Sequence, residues 1–124
     1  MIDLLGLETW VCGLFEGIGE NTYFGKMPKA VSERKNDYVL ITTAGRIKDF
    51  GGYKALSVAI NAVVRDRQPG LVNANRISEM VDAILAKIPA TTDNYSLISP
   101  SVLPIKGITG FSYASISVEL RIKK

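Results

Sequence analysis

The chain contains twelve carboxylates and one thiol but no histidine, and that inventory bounds the chemistry open to it. Without imidazole, Ser–His–Asp and Cys–His nucleophile arrangements, histidine-based metal sites and imidazole acid–base catalysis are all excluded. The carboxylates are scattered. Glu16 and Glu20 are helix-spaced but fall at a helix end beside glycines. Glu79 and Asp82 share a helix face opposite an apolar stripe, which predicts solvation. Asp37 and Asp66 flank strand ends, where turn and capping roles are common. Paired-carboxylate catalysis needs two groups in one cleft whose environments push their pKa values apart, and cation binding by carboxylates alone needs a denser cluster. This spacing provides neither, so the expectation is a protein that is not an enzyme, with no catalytic residue, no metal and no cofactor. Cys12 lies in an apolar helical stretch, where a free cysteine behaves as a small hydrophobe. Standing alone it forms no disulfide within the chain, which fits a reducing compartment. The glycines of Ala44–Lys54 lack GxxxxGK[ST] or GxGxxG spacing and a strand–loop–helix context, so they read as a flexible hairpin loop rather than a phosphate cradle.

With 47% hydrophobic and 22% charged residues over 124 positions, the chain has the composition of one ordered domain, residues 1–124. Fifteen Lys+Arg give a net charge of only +3, dispersed over Lys26/Lys29, Arg34/Lys35 and Arg121/Lys123/Lys124. A nucleic-acid binder more often gathers its cations on one face with aromatics interleaved. No apolar run approaches a membrane span, and Met1-Ile2-Asp3 lacks the basic region that opens a signal peptide.

The organising element is Leu71–Pro89. Ile77, Met80, Val81, Ile84, Leu85 and Ile88 fall on one helical stripe, with Asn73 or Asn75 as cap and Pro89 as stop. A first helix is predicted over Ile2–Ile18 from Leu4, Leu7, Val11, Leu14, Phe15 and Ile18, with Asp3 as a plausible cap. It is weakened by Gly6, Gly13 and Gly17, each worth about 1 kcal/mol relative to Ala. Trp10 sits at the edge of that stripe and reads as core. Glu20–Asp37 is mostly irregular, with a brief extended piece at Thr22–Gly25.

Tyr38–Thr43 is apolar on both faces at its start, as in a central strand. Ala55–Asp66 alternates Leu56, Val58, Ile60, Ala62 and Val64 against a face of small residues that another subunit or strand could cover. Tyr95–Ile98 starts a third strand. Ser99–Gly110, with Pro100 and Pro104, is either a long loop or a proline-interrupted edge strand. In Ser112–Lys124, Ala114, Ile116, Val118, Leu120 and Ile122 alternate with polar residues, giving one buried and one wet face. The expected order is α-β-β-α-β-β: an α+β fold with an antiparallel sheet of about four strands and both helices on one face.

Two segments expose more apolar surface than a loop in water requires. One carries Arg46, Lys48, Phe50 and Tyr53, with Ile47 beside them; the other carries Leu103, Ile105 and Lys106. They are either lids over the sheet ends or interface residues. The small-residue strand face favours the interface reading.

The order of elements resembles the tail-terminator and tail-completion (head–tail joining, minor tail) proteins of long-tailed bacteriophages. The resemblance rests on an N-terminal helix, Tyr23-Phe24-Gly25-Lys26-Met27-Pro28, the strand Asp37–Ile41, and a long hairpin to Ala55–Arg65. It continues through the Ile77/Val81/Ile84/Ile88 helix and the closing Val118-x-Leu120-x-Ile122 run, covering nearly the whole chain. Ser99–Gly110 and the glycine-rich first helix depart from the pattern. The resemblance implies a structural phage or prophage virion protein without a reaction. It would form a homo-oligomeric ring, commonly of six subunits, at the head-proximal end of the tail. The ring would cap the tail tube protein and dock the head connector, assembling in the host cytoplasm, with no specific nucleic-acid binding. The competing expectation is a small α+β nucleic-acid-binding module using Arg121, Lys123 and Lys124, whose affinity would fall steeply with salt. A small-molecule-binding domain would need a concave pocket with convergent polar groups, for which the sequence offers no candidate.

Overall fold

The computed structural model of the protein describes residues 4–25, 36–68, 70–108 and 110–123. Its elements run α1 (Leu4–Leu14), β1 (Asn21–Phe24), β2 (Asp37–Asp49), β3 (Tyr53–Arg65), α2 (Ala74–Leu85), β4 (Ala90–Thr91), β5 (Tyr95–Val102), β6 (Lys106–Ile108) and β7 (Phe111–Lys123). The α+β class with two helices stands, but the sheet has seven strands among the described residues rather than about four. It is mixed rather than antiparallel, and it curls strongly into a half-barrel. The order across it is β1-β2-β3-β7-β5-β4, with β6 also on β7. The parallel member is β1, whose Asn21–Phe24 pair with Tyr38–Ile41 of β2. Thr22-Tyr23-Phe24 is too short to read as a strand alone; it forms because β2 offers an edge.

β3 and β7 are the spine. Their thirteen-residue register runs from Tyr53 opposite Lys123 to Arg65 opposite Phe111. The alternation of β7 predicts its faces: Ala114, Ile116, Val118, Leu120 and Ile122 are all buried. They meet Val58, Ile60, Ala62 and Val64 of β3, Val39 and Ile41 of β2, and Leu97 of β5 in one core. Both helices close that core from the same side, α1 through Leu7, Val11 and Phe15 and α2 through Ile77, Met80 and Ile84. Each fully buried aliphatic contributes about 1.5–3 kcal/mol relative to exposure. The curl brings the flanks of the sheet to α1: the helix packs on β1 at one side, while Trp10 stacks on Tyr95 of β5, ring centroids 5.4 Å apart. Trp10 is therefore half-buried at the edge of the core rather than inside it.

The first helix is shorter than its apolar stripe. It ends at Leu14, and Phe15–Gly17 form a turn in which Gly17 takes φ 87°, a left-handed conformation that terminates helices. Phe15 still reaches the core from that turn, and Ile18 packs against it from the bend that follows. Gly19 is needed for another reason: a Cβ there would lie 2.9 Å from the Cα of Tyr38. Backbone cannot give way as a flexible side chain can. Gly19→Ala is expected to cost about 1–3 kcal/mol, read by urea denaturation; Gly13→Ala, with open space around its Cβ, should not be destabilising. The helix α2 begins as predicted, the side chain of Asn73 accepting from the Arg76 backbone N–H at 3.4 Å. It ends at Leu85, four residues before Pro89, and Ile88 reaches the core from the turn that follows. Asp3, the Lys26–Lys35 cations, Pro69 and Lys124 lie outside the described residues.

Two connections prove to be strand. The flexible loop expected over Ala44–Lys54 is the end of β2, a turn at Phe50–Gly52, and the start of β3. Lys48 pairs with Ala55 and Asp49 with Lys54, after a bulge between Ala44 and Lys48. Glycine and mixed charges obscure the alternation in the sequence; pairing to β3 supplies what propensity lacks. Ser99–Gly110 is mostly an interrupted edge strand. β5 pairs along β7 from Tyr95–Ile122 to Val102–Ile116, with a bulge between Ile98 and Ser101. There Ser99 adopts φ 58° just before Pro100. Leu103 then donates its N–H to the Ser115 carbonyl at 2.9 Å, and β6 resumes pairing at Tyr113.

Candidate interaction surfaces

The β2–β3 hairpin carries the first group of residues singled out from sequence. The bulge inserts extra residues, Arg46 among them, and bulges bend a strand and re-aim its side chains. At the turn, the Asp49 carboxylate accepts the Gly51 N–H at 2.9 Å and Phe50 N–H donates to the Tyr53 carbonyl at 2.9 Å. Gly51 takes φ 90°, which a side chain would strain. This local geometry stacks Phe50 on Tyr53, centroids 5.1 Å apart and planes 19° apart. The Arg121 guanidinium lies 4.6 Å from the Tyr53 ring centroid. Phe50 nevertheless remains 54% exposed. Arg46 and Lys48 are exposed beside it, and all three line a shallow recess of about 110 Å³ with Leu56, Ser57 and Glu119.

The second group sits on the edge alongside β7. Leu103 and Ile105 are 44% and 46% exposed, with Val102 at 49%, and Lys106 is exposed. Sequence reading leaves open whether these aliphatics fold back as lids; they point outward. The structure does not unite the two groups. Val102 pairs with Ile116 and Tyr53 with Lys123, positions about 23 Å apart along an extended strand. Leu71 and Val72, 42% and 37% exposed, form a further apolar spot that sequence reasoning passed over. The available signal was their place before the Asn73 cap, off the helical stripe.

The carboxylates of α2 and the strand ends fall where their spacing puts them, whereas Glu8, Glu16 and Glu20 come together around one cleft. Glu79 and Asp82 are exposed, Asp66 accepts the Ser112 hydroxyl at 2.7 Å, and Asp37 caps a turn by accepting the Glu20 N–H at 2.8 Å. Asp37 also takes the Arg76 Nε at 3.0 Å, while Arg76 donates to Glu79 at 3.2 Å and to the Ile18 carbonyl at 2.9 Å. Hydrogen bonding to Asp37, followed by that to Glu79, raises the Arg76 pKa against the opposing effect of burial. Arg76 therefore clips α2 to β2 and to the end of the α1 segment. Arg76→Ala strands an Asp37 side chain only 15% exposed and is expected to cost about 1–3 kcal/mol in thermal unfolding. Glu79→Ala, removing a pair that is 68% exposed on the acid's side, should stay within about 0.5 kcal/mol.

A cleft of about 560 Å³ lies between α1 and β1, lined by Glu8, Thr9, Cys12, Gly13, Glu16, Gly17, Gly19, Glu20, Asn21 and Thr22. Burial, and secondarily the charge of Glu8, raises the Cys12 thiol above its usual pKa, so it is a protonated, weakly nucleophilic thiol at neutral pH. Among the described residues no group of three or more His, Cys, Asp or Glu side chains is arranged to hold a metal ion, and no helix is long and apolar enough to cross a membrane. Neither any protein-family model nor any curated protein matches the chain.

Proposed function

We propose that the protein is a structural subunit of a phage or prophage virion, a tail terminator or head–tail joining protein that forms a homo-oligomeric ring. In this reading the ring, of six copies, caps the tail tube protein and meets the head connector, and it performs no reaction. The observation that carries it is the pairing of a closed core with outward apolar groups on ordered backbone. Phe50 lies in a tight hairpin turn closed by its N–H on the Tyr53 carbonyl. Val102 ends β5, and Leu103 and Ile105 lie in the short connection to β6, tied to β7 by the Leu103 N–H on the Ser115 carbonyl. Apolar side chains presented this way on pre-ordered elements suit contact with a partner, because little conformational entropy remains to be lost on docking. The element order and the alternating terminal strand support the phage assignment.

The nucleic-acid reading has less support. Arg121 pairs with Glu119 at 2.7 Å and lies over the Tyr53 ring, which leaves the exposed Lys123 as the cation of that strand without an acid partner among the described residues. Solution mass measured by light scattering over a concentration series is the test. A discrete ring-sized species is expected, visible as rings by negative-stain microscopy. A strict monomer that binds DNA with a steep inverse dependence on salt would replace this reading with the alternative.

A further inference from the structure

The chain carries two surfaces of opposite character at opposite ends of β2. At one end Phe50 and Tyr53 form a stacked pair flanked by exposed Arg46 and Lys48. The nearby Asp49 carboxylate is exposed and accepts the Gly51 N–H; its single negative charge offsets only part of the two cations. At the other end lies the α1–β1 cleft, whose lining includes Glu8, Glu16 and Glu20 and no cation. In a chain of net charge +3, three carboxylates around one recess, with no cation in its wall among the described residues, make a local reversal of sign. The wall is glycine-rich, and among the described residues a Cβ at Gly13 or Gly17 would meet nothing within 4 Å, so these positions add no side-chain bulk to the recess. At about 560 Å³ it has the size of clefts that take ligands with aromatic rings.

These surfaces cannot meet within one molecule. Glu20 is hydrogen-bonded to Asp37, the first residue of β2, while Phe50 follows its last; with the bulge, β2 spans the ten-residue stretch from Val64 to Lys54 of β3, about 33 Å of strand. We propose that the hairpin tip of one copy docks in the α1–β1 cleft of a second copy, with Phe50 entering the recess and Arg46 and Lys48 facing Glu16 and Glu20. The inference rests on the assembly reading above and specifies its contact. Because the two patches differ, the association is heterologous: it leaves a free tip and a free cleft at the ends of any open chain and closes only as a ring. Its charge pairing makes it sensitive to ionic strength.

The test is charge reversal in the full-length protein at low salt, read by light scattering. Arg46→Glu with Lys48→Glu, and separately Glu16→Lys with Glu20→Lys, are each expected to weaken self-association by roughly tenfold or more. Mixing the two variants, or combining all four substitutions in one chain, restores complementarity and should restore the assembly. Cys12 supplies a second readout at the cleft itself, since it lines the recess. Maleimide labelling should be several-fold slower in assembled wild type than in the dissociated Arg46→Glu/Lys48→Glu variant, whose circular dichroism should be unchanged. If the wild type assembles while both reversals leave its mass and Cys12 labelling unaltered, the docking inference is overturned and the assembly reading survives. If the wild type is monomeric at every concentration, both fall.

Discussion

Phe111→Ala is expected to lower the unfolding free energy by about 3–5 kcal/mol, the range for deleting a buried aromatic ring. The position is informative because the alternation of the last strand assigns it to the side away from the helices, where Ser115, Ser117 and Arg121 also point. On that side the residue is nonetheless fully buried, in a second small cluster with Tyr38 and Val63, packed by Tyr23, Leu40 and Tyr113. The Tyr38 ring meets Phe111 edge-on, centroids 5.9 Å apart, and the Arg65 guanidinium covers it at 4.6 Å. Loss of the ring therefore removes apolar burial, an aromatic pair and a cation–π contact together. Guanidinium denaturation of Phe111→Ala beside Ser117→Ala, a half-exposed neighbour on the same face expected within about 0.5 kcal/mol, makes the comparison. A Phe111→Ala loss below about 1 kcal/mol would mean that water reaches this end of the face.

Phe50→Asp should behave in the opposite way, leaving stability within about 0.5 kcal/mol of wild type while abolishing self-association at micromolar concentration. Phe50 packs mainly on Tyr53 and is more than half exposed, so the fold asks little of it. An assembly contact asks a great deal: an aromatic anchor at an interface centre is commonly worth 2 kcal/mol or more, about thirtyfold in affinity. A carboxylate at the tip would also face Glu16 and Glu20 across the proposed contact. Ile105→Asp tests the sheet edge separately: the adjacent Lys106 pairs with Tyr113, about 33 Å along β7 from Lys123, the partner of Tyr53. If Phe50→Asp leaves the oligomer distribution untouched, the hairpin tip is not an assembly contact, whatever the edge does.

Much of the body of the protein was legible because its periodicities are strong. The 3.6-residue stripe predicted α2 from Ile77 to Leu85, though not its end before Ile88, and the cap fell on Asn73, one of the two asparagines proposed. The two-residue alternation of Ala114–Ile122 predicted both the last strand and its buried face. Sequence was weaker where a segment borrows its structure. Asn21–Phe24 is strand because β2 lies beside it, and Ser99–Ile108 follows β7 despite two prolines because that strand is long enough to pair with two pieces in turn. Of the seven surface residues singled out, Arg46, Lys48, Phe50, Leu103, Ile105 and Lys106 are exposed and Tyr53 is half-buried beneath Phe50. The flexible loop expected over Ala44–Lys54 is a strand hairpin with a short turn, and Ser99–Gly110 takes the interrupted-edge-strand alternative, with Leu103 and Ile105 in its connection. Backbone pairing satisfies the hydrogen-bonding groups that a loop would leave to water.

By itself, then, the sequence determined the chemical inventory, including the exclusion of every histidine-dependent mechanism, and which faces of its two most regular elements are apolar. Those follow from residue identity and local period, which need no partner. Only the tertiary structure decided the number and sense of the strands, the curl that brings both flanks of the sheet to α1, the Tyr38–Phe111 cluster on the far face, and the acidic cleft beside β1. Each arises from segments distant along the chain meeting in space: Tyr38 with Phe111, Arg76 with Asp37 and Ile18, Trp10 with Tyr95. No local pattern encodes such meetings, because the free energy that selects them comes from burial and pairing shared across the whole sheet.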